Sequence, residues 1–535
     1  MDADNNANVE SCIASSGGDA EVALQCISDN VQTVSTDLKS LAAGVDVFFL
    51  IFAASVMFFM QGGFAMLCAG CVRSKNVQNT IMKNLLDACG AGLAFFSVGY
   101  AFAYGNPGDD GRDDSAVYTG EPVEAKTTFI GNGNFFLIGV ENYSFWLYQF
   151  TFAATAATIV AGTLAERCQM VAYLLYSTFL TAFVYPVIVH AVWSTNGFLT
   201  PLTTDPLFGV GVIDFAGSGV VHVTGGFTSL IASKILGPRK GRFDERKSQT
   251  GSTLEVPKKI EGHSSSLQAL GTFILWFGWY GFNAGSIHQV STENHANIAS
   301  LAAVSTTLGA ASGCVTALGV SALLSLRRTG DVNWNLSDGL NGCLAGLVGI
   351  TGGCGMLEPW ASVLVGSIAA LLYLSSSELL VKLRIDDAVD AIPVHLFGGL
   401  WGVIAVGLFA SPRRLIDIYG HADHPGWFYS FGNNGGSDAS LLAANLVGLL
   451  FILAWVFFTM TPFFLMLSFC GWFRADSLEE IIGLDPGSGS EYQPTGNVTS
   501  EHLEILRQQL DQRTGFTNED SQTEATQDDR FDVNA

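Results

Sequence analysis

The chain has 535 residues, of which 49% are hydrophobic and only 14% charged, yet it carries a net charge of −23. Soluble domains are about one-quarter charged, so this balance excludes an ordinary soluble enzyme and a disordered chain. The acidity excludes a protein that grips nucleic-acid phosphates. A large polytopic membrane domain remains, with its charge carried by segments outside it.

In chain order, residues 1–45 come first, an acidic segment expected outside the membrane. They contain Cys12 and Cys26 but no basic stretch leading into an apolar run, so no cleavable signal is expected. Outside the cell two such cysteines can form a disulfide, within the chain or between subunits. Runs long enough to cross roughly 30 Å of hydrocarbon follow. They lie near 46–71, 84–104, 143–164, 170–191, 211–236, 267–286, 295–325, 336–355, 359–380, 392–410 and 439–471. Small residues recur in them, as at Gly90, Gly92, Gly225, Gly226, Gly398 and Gly399, which suits close helix packing in lipid. They do not alternate as barrel strands would. The expected fold class is an all-α polytopic membrane protein with eleven transmembrane helices.

With the N-terminus outside, the inside loops and the tail from 472 hold 20 of the 25 Lys and Arg. That bias predicts an outside N-terminus and a cytosolic C-terminus. The sequon at Asn142 abuts a span, and those at Asn335 and Asn497 fall inside. The eight cysteines other than Cys12 and Cys26 show no metal-ligand spacing and read mostly as small core residues. His190, His288 and His295 lie near outside ends and read as solvated or interfacial.

Two segments share one pattern. Asp214 is followed after seven residues by His222, then after two by Gly225-Gly226; Asp387 is followed in the same way by His395 and Gly398-Gly399. They open the fifth and tenth spans, which run in opposite directions. A motif repeated with opposite orientation predicts an inverted repeat of five plus five spans, with the eleventh outside it. Along a continuous α-helix each His lies about 12 Å from its Asp, so both histidines approach the midplane, and there they are expected to touch. Ionisable groups at that depth are costly and mark an ion or proton path. A metal or haem enzyme is the rival reading, but no third or fourth ligand stands at suitable spacing. No cofactor and no enzymatic activity are expected.

These residues resemble the Amt/Mep/Rh ammonium transporters, closest to the plant-type AMT branch. The resemblance rests on DFAGSGVVHVTGG (214–226), GWYGFNAGS (278–286), the turn Ala165-Glu166-Arg167 and DDAVDAIPVHLFGGLWG (386–402), and spans about 45–485. It implies a homotrimer in the plasma membrane with a narrow, mostly apolar pore inside each subunit. Carried over by position, it puts the twin pore histidines at His222 and His395 and a stacked phenylalanine gate at Phe152 and Phe282. It puts ammonium recruitment at Trp193, Ser286 and Phe152, with Asp214 as the required buried acid and Gln149 lining the outer vestibule. Asp387 is the structural counterpart of Asp214 at the inner end. The function implied is ammonium transport: NH4+ is recruited, deprotonated and passed through the pore, with net electrogenic uptake. Methylammonium is the expected analogue, and an ammonium sensor with little flux is the alternative.

The resemblance also makes residues 46–471 the membrane domain and 472–490 a cytosolic regulatory segment that packs on a neighbouring subunit. The family carries a phosphorylatable Thr shortly after its G-x-D step. Here Gly483-Leu484-Asp485 is followed by no Thr, although Ser488 and Ser490 are near. Residues 491–535 read as an acidic disordered tail, with a short helix around 500–513. Three appendages, 1–45, 105–142 and 472–535, hold 28 acids against 7 bases, or 21 of the 23 net negative charges. The membrane domain itself is close to neutral.

Overall fold

The computed structural model describes residues 10–105, 126–247, 253–431 and 437–486. The expected helix at 500–513, Ser488, Ser490 and the sequon at Asn497 lie outside the described residues. Helices dominate: α1 (Ala20–Cys71), α2 (Ser74–Tyr104), α3 (Tyr143–Thr163), α4 (Met170–Trp193), α5 (Ser218–Leu236), α6 (Ser265–Ala284), α7 (Glu293–Thr329), α8 (Leu336–Thr351), α9 (Pro359–Lys382), α10 (Ile392–Phe409) and α11 (Ser440–Phe469). Among the described residues, nine of these are long and apolar enough to cross a membrane, all but α6 and α8. Those two expected spans are helical, but α8 has only 16 residues and α6 carries polar and small residues along its length. The all-α fold class holds; the loop before α6 adds one hairpin, β1 (Phe243–Lys247) paired antiparallel with β2 (Thr253–Pro257).

Helix starts follow capping chemistry. Asp19 accepts from Glu21 N, Asn142 from Phe145 N, Thr292 from His295 N and Asn335 from Ser337 N. Two of the three sequon asparagines thus serve as N-caps, which satisfies N–H groups that a helix start leaves open. The first span differs from its expected start at 46. Its helix begins at Ala20, because Asp19 caps it there and 20–45 contains no Pro and only one Gly. Cys12 and Cys26 are joined by a disulfide within the chain.

Contacts sort the loops into two faces. On one, Asp46 accepts from Val290 N and Ser291 N, His190 meets Thr128, and Asn294 donates to the Asp417 carbonyl. On the other, Arg73, Glu166, Arg239, Asp386 and the tail meet; this is the tail face. Between them α3 is buried almost throughout, as a central helix must be. The peripheral α1 and α11 expose Phe58, Phe458 and Phe469, as lipid-facing helices do.

Two expectations fail here. His190 is fully buried rather than solvated. Its Nδ1 meets the Ala103 carbonyl and its Nε2 meets Thr128 Oγ1, both at 2.8 Å, so the ring ties α2 to the loop before α3. Of the eight free cysteines only Cys68, Cys168, Cys343 and Cys354 are buried; Cys71 and Cys314 are half-buried, and Cys89 and Cys470 are exposed.

Candidate functional site

The two Asp-His-Gly-Gly segments enter the bundle the same way. Each histidine sits in a turn of π-helix, Ser218–Val223 opening α5 and Ile392–Phe397 opening α10. The straight α-helical path from Asp to His is therefore corrected. Gly217 takes a φ of +102°, where a side chain is disfavoured, and the His222 N–H reaches back five residues to the Gly217 carbonyl. Each Asp caps its own turn. Asp214 accepts from Gly217 N (3.2 Å), Gly219 N (2.8 Å) and Val220 N (2.9 Å). Asp387 accepts from Val389 N (3.3 Å) and Ile392 N (2.7 Å).

The second glycine of each pair explains the rest of the motif. A Cβ on Gly226 would lie 2.4 Å from Leu396 N, and one on Gly399 would lie 2.5 Å from the Ser218 carbonyl oxygen. Each motif thus leaves room for the backbone of the other. That crossing brings the histidines together: His222 Nδ1 and His395 Nδ1 are 3.2 Å apart, with the rings nearly parallel. Both are buried. A bond between two like nitrogens holds one proton, so in the neutral pair one ring is protonated at Nδ1 and the other at Nε2.

A recess opens on the face opposite the tail. Gln149, Phe152, Trp193, Asp214 and Ser286, expected as one group, all line it. Its floor is aromatic: Phe152 meets Trp193 at 5.4 Å between ring centroids and Phe282 at 4.6 Å. The Phe152 and Phe282 rings are inclined by 66°, so the expected stacked pair is an edge-to-face pair, which the ring quadrupoles favour. Phe282 in turn lies flat against His222 at 5.5 Å. Beyond His395 lies a second, narrow space lined largely by apolar groups, including Phe64, Leu344 and Val394. A wide vestibule on the tail face follows, where Asp387 stands. The order is recess, Phe152, Phe282, His222, His395, inner space.

Three residues outside the expected set hold this line. Trp279 stacks on His222 at 5.3 Å and donates its indole N–H to Thr351 Oγ1. Tyr148 donates to the Phe282 carbonyl (2.8 Å) and stands 3.3 Å from Ser286 Oγ. Asn445 on α11 clasps both backbone groups of Ile213. Trp279 lies inside the 278–286 stretch and Tyr148 beside Gln149, so their neighbourhood was a signal; Asn445 gave none. His288 is half-buried and packs edge-on against Phe145 and Tyr148 at the recess wall.

The tail face carries a buried ion cluster. Glu166, in the Ala-Glu-Arg turn, accepts from Arg73 N and Nε and lies 3.3 Å from Arg239 Nη1. Asp386 accepts from Arg239 N, Nε and Nη2, and its carbonyl accepts from Arg167. Burial alone would raise both carboxyls. The charges and hydrogen bonds of Arg239, with Arg73 for Glu166 and Arg167 for Asp386, outweigh it and hold both below their ordinary range. Within the chain the segment after α11 docks on these loops. Ala475 N donates to the Arg167 carbonyl, Arg474 to those of Leu236 and Pro238, and Asp485 accepts from Gln78 N and Asn79 N at the start of a helix.

A sequence profile described as the Ammonium Transporter Family matches residues 47–492. The chain belongs to the ammonium transporter family. Among curated relatives, Ammonium transporter 1 member 3 of Solanum lycopersicum is 39% identical over 85% of this chain and 94% of its own length. Ammonium transporter 1 member 1 of Arabidopsis thaliana is 41% identical over 78% of this chain and 79% of its own. Among solved structures, a "Sensor Amt Protein" aligns with a TM-score of 0.67 at 31% identity, covering 85% of this chain and all of that one. Candida albicans Mep2 aligns at 0.64 and 28%, covering 83% and 88%.

Proposed function

We propose that this ammonium transporter recruits NH4+ in the Trp193–Phe152 recess, strips its proton there and passes the neutral molecule along the line of Phe152, Phe282, His222 and His395. The observation that carries the reading is the order of those groups between two spaces, one aromatic and polar, the other apolar. Trp193 and Phe152 offer ring faces to a cation, worth about 2 kcal/mol or more when desolvated. Gln149 Oε1 is buried with no hydrogen-bond partner among the described residues and is an acceptor for an ammonium N–H. Ser286 Oγ donates its proton to the Phe282 carbonyl, which leaves it the acceptor role toward a cation.

Asp214 works through the backbone. Its carboxylate is engaged by three N–H groups, and its carbonyl accepts the Trp193 indole N–H at 2.7 Å. The acid thereby fixes the recruiting ring. Past Phe282 a bare ammonium would lose solvation on the order of 20 kcal/mol before relaxation, which favours deprotonation and passage of NH3. The histidine pair supplies a separate route for the proton. His222 accepts it at Nε2, the shared proton moves from His222 Nδ1 to His395 Nδ1, and His395 releases one from Nε2. Recombination on the tail face makes uptake electrogenic.

The same reading places the N-terminus outside and the tail in the cytosol of a plasma-membrane protein. It gives eleven spans as a five-plus-five inverted repeat plus α11, which the equivalent work of Asp214 and Asp387 supports. The subunits form a homotrimer, residues 1–45 are its outer segment, 46–471 its membrane domain, and 472–490 its regulatory segment. In proteoliposomes, ammonium should drive current, methylammonium should compete, and K+ should not. Ammonium binding without current or flux would overturn transport in favour of sensing.

A further inference from the structure

The outer half of α1 carries a feature the pore does not use. Its apolar residues fall at Leu24, Val31, Leu38 and Val45, and again at Ile27, Val34, Leu41 and Phe48. This strict three-four spacing is the heptad of a coiled-coil seam, with the first set at a and the second at d. In the single chain all but Ile27 are exposed; Leu24, Val31 and Leu41 are 68%, 64% and 65% exposed. A helix that leaves such a stripe open in water is incomplete.

The side that α1 turns to its own subunit is a different one. Asp46 accepts from the Val290 and Ser291 N–H groups, and Leu50, Ala53, Ala54 and Met57 are buried in the bundle. Continuing the heptad, these are b, f, b, c and f, across the helix from a and d. The seam therefore faces away from its own bundle. Cys26, which holds the 10–15 helix by its disulfide, is at c and also off the seam.

The occupant is a second copy of this chain. A neighbouring copy presents the same helix at the same height above the membrane, so a meets a and d meets d without any search for register. The e and g positions above the membrane are Ser28, Asn30, Ser35, Asp37, Ala42 and Gly44. They carry one charge, so no charge pattern selects a different helix. The four a/d pairs are Leu24/Ile27, Val31/Val34, Leu38/Leu41 and Val45/Phe48; none is the β-branched-a, Leu-d pair of two-stranded coils, and Leu at a with Ile at d fits a higher order.

We propose that residues 24–48 of the three subunits wind into a parallel coiled coil on the face opposite the tail, tying the pores together there. The proposal rests on the trimer above. The test uses the full chain in membranes, comparing Leu38→Cys at a with Thr36→Cys at f after mild oxidation, with wild type as background. The expected result is roughly tenfold more disulfide-linked dimer from Leu38→Cys, because a positions converge and f positions point outward. Equal cross-linking of the two overturns the coiled coil, and so does a Leu38→Cys thiol shielded from a membrane-impermeant maleimide yet never cross-linked, which would mean cover by its own chain or by lipid. The mass of the solubilised protein separates the two readings. A monomer removes the trimer itself, whereas a trimer with equal cross-linking removes only the seam.

Discussion

At the scale of the residue, Asp214 separates a direct from an indirect role for a buried acid. If the carboxylate held the cation itself, Asp214→Asn would weaken binding chiefly by removing charge. The geometry argues instead that it organises Gly217, Gly219 and Val220 while its carbonyl holds Trp193. Asp214→Ala removes all three acceptor bonds and leaves buried N–H groups unsatisfied, at about 1–3 kcal/mol each. It should abolish ammonium current while the protein still folds and reaches the membrane, and wild-type current from it would disprove this placing of the residue. Asp214→Asn keeps one acceptor oxygen and should retain measurable current, with the loss appearing as a raised half-saturating ammonium concentration. His222→Ala should also abolish current, because the shared proton loses one of its two nitrogens. Phe152, Trp193 and Ser286 were reachable only through the family resemblance, whereas His395 stood out in the sequence through the Asp-His-Gly-Gly repeat. Trp279 and Asn445 could not be assigned roles that way. Their work is to touch residues 57 and 232 positions away in sequence, and no local spacing encodes that.

At the scale of the element, the repeated Gly-Gly has a steric cause that composition alone misses. Gly226 faces Leu396 N, Leu396 Cα and the His395 carbonyl carbon, all of them backbone, so nothing there can rotate aside. Gly226→Ala should force the two π-turns apart, lower the melting temperature of the solubilised protein and remove ammonium current. Gly90→Ala is the matched control: its nearest neighbour would be Thr178 Oγ1 at 3.9 Å, and Ala is the better helix former by about 1 kcal/mol, so current and melting temperature should hold. A melting temperature that falls equally in both variants would sink the crossing argument. The helices themselves were legible because apolar length is a strong signal. The π-turns were not, since they arise from the Asp caps and Gly217 rather than from periodicity. The start of α1 was hidden for another reason: reading 1–45 as an acidic appendage passes over its three-four apolar spacing, which shows only when charge is set aside.

At the scale of the whole molecule, the tail face is held by charge. Glu166 and Asp386 are each about 1% exposed and share Arg239, with Arg73, Arg167 and Arg242 around them. The cluster joins loops that follow α1, α3, α5 and α9, and the tail docks on the same loops. The Ala-Glu-Arg turn was readable as a motif, but its partners lie 93, 73 and 219 positions away, so the network was not. Removing one partner of a buried ion pair strands the others, at roughly 3–5 kcal/mol. Asp386→Asn should therefore lower the melting temperature of the solubilised protein and loosen the tail, read as faster proteolysis near 472–486. The pH dependence has a definite sign. Both carboxyls titrate lower in the folded protein than when free, so their stabilisation is complete above the free carboxylate value of about 4. It is lost progressively as pH falls from there, and is gone once pH has passed through the depressed folded values. Between pH 8 and 5 the gap in melting temperature between wild type and Asp386→Asn should stay constant, and below about pH 4 it should narrow, because the unfolded chain's Asp386 begins to bind a proton there while the folded one does not. A gap that closes already between pH 7 and 6 would mean that a histidine, not Asp386, governs the stability of this face.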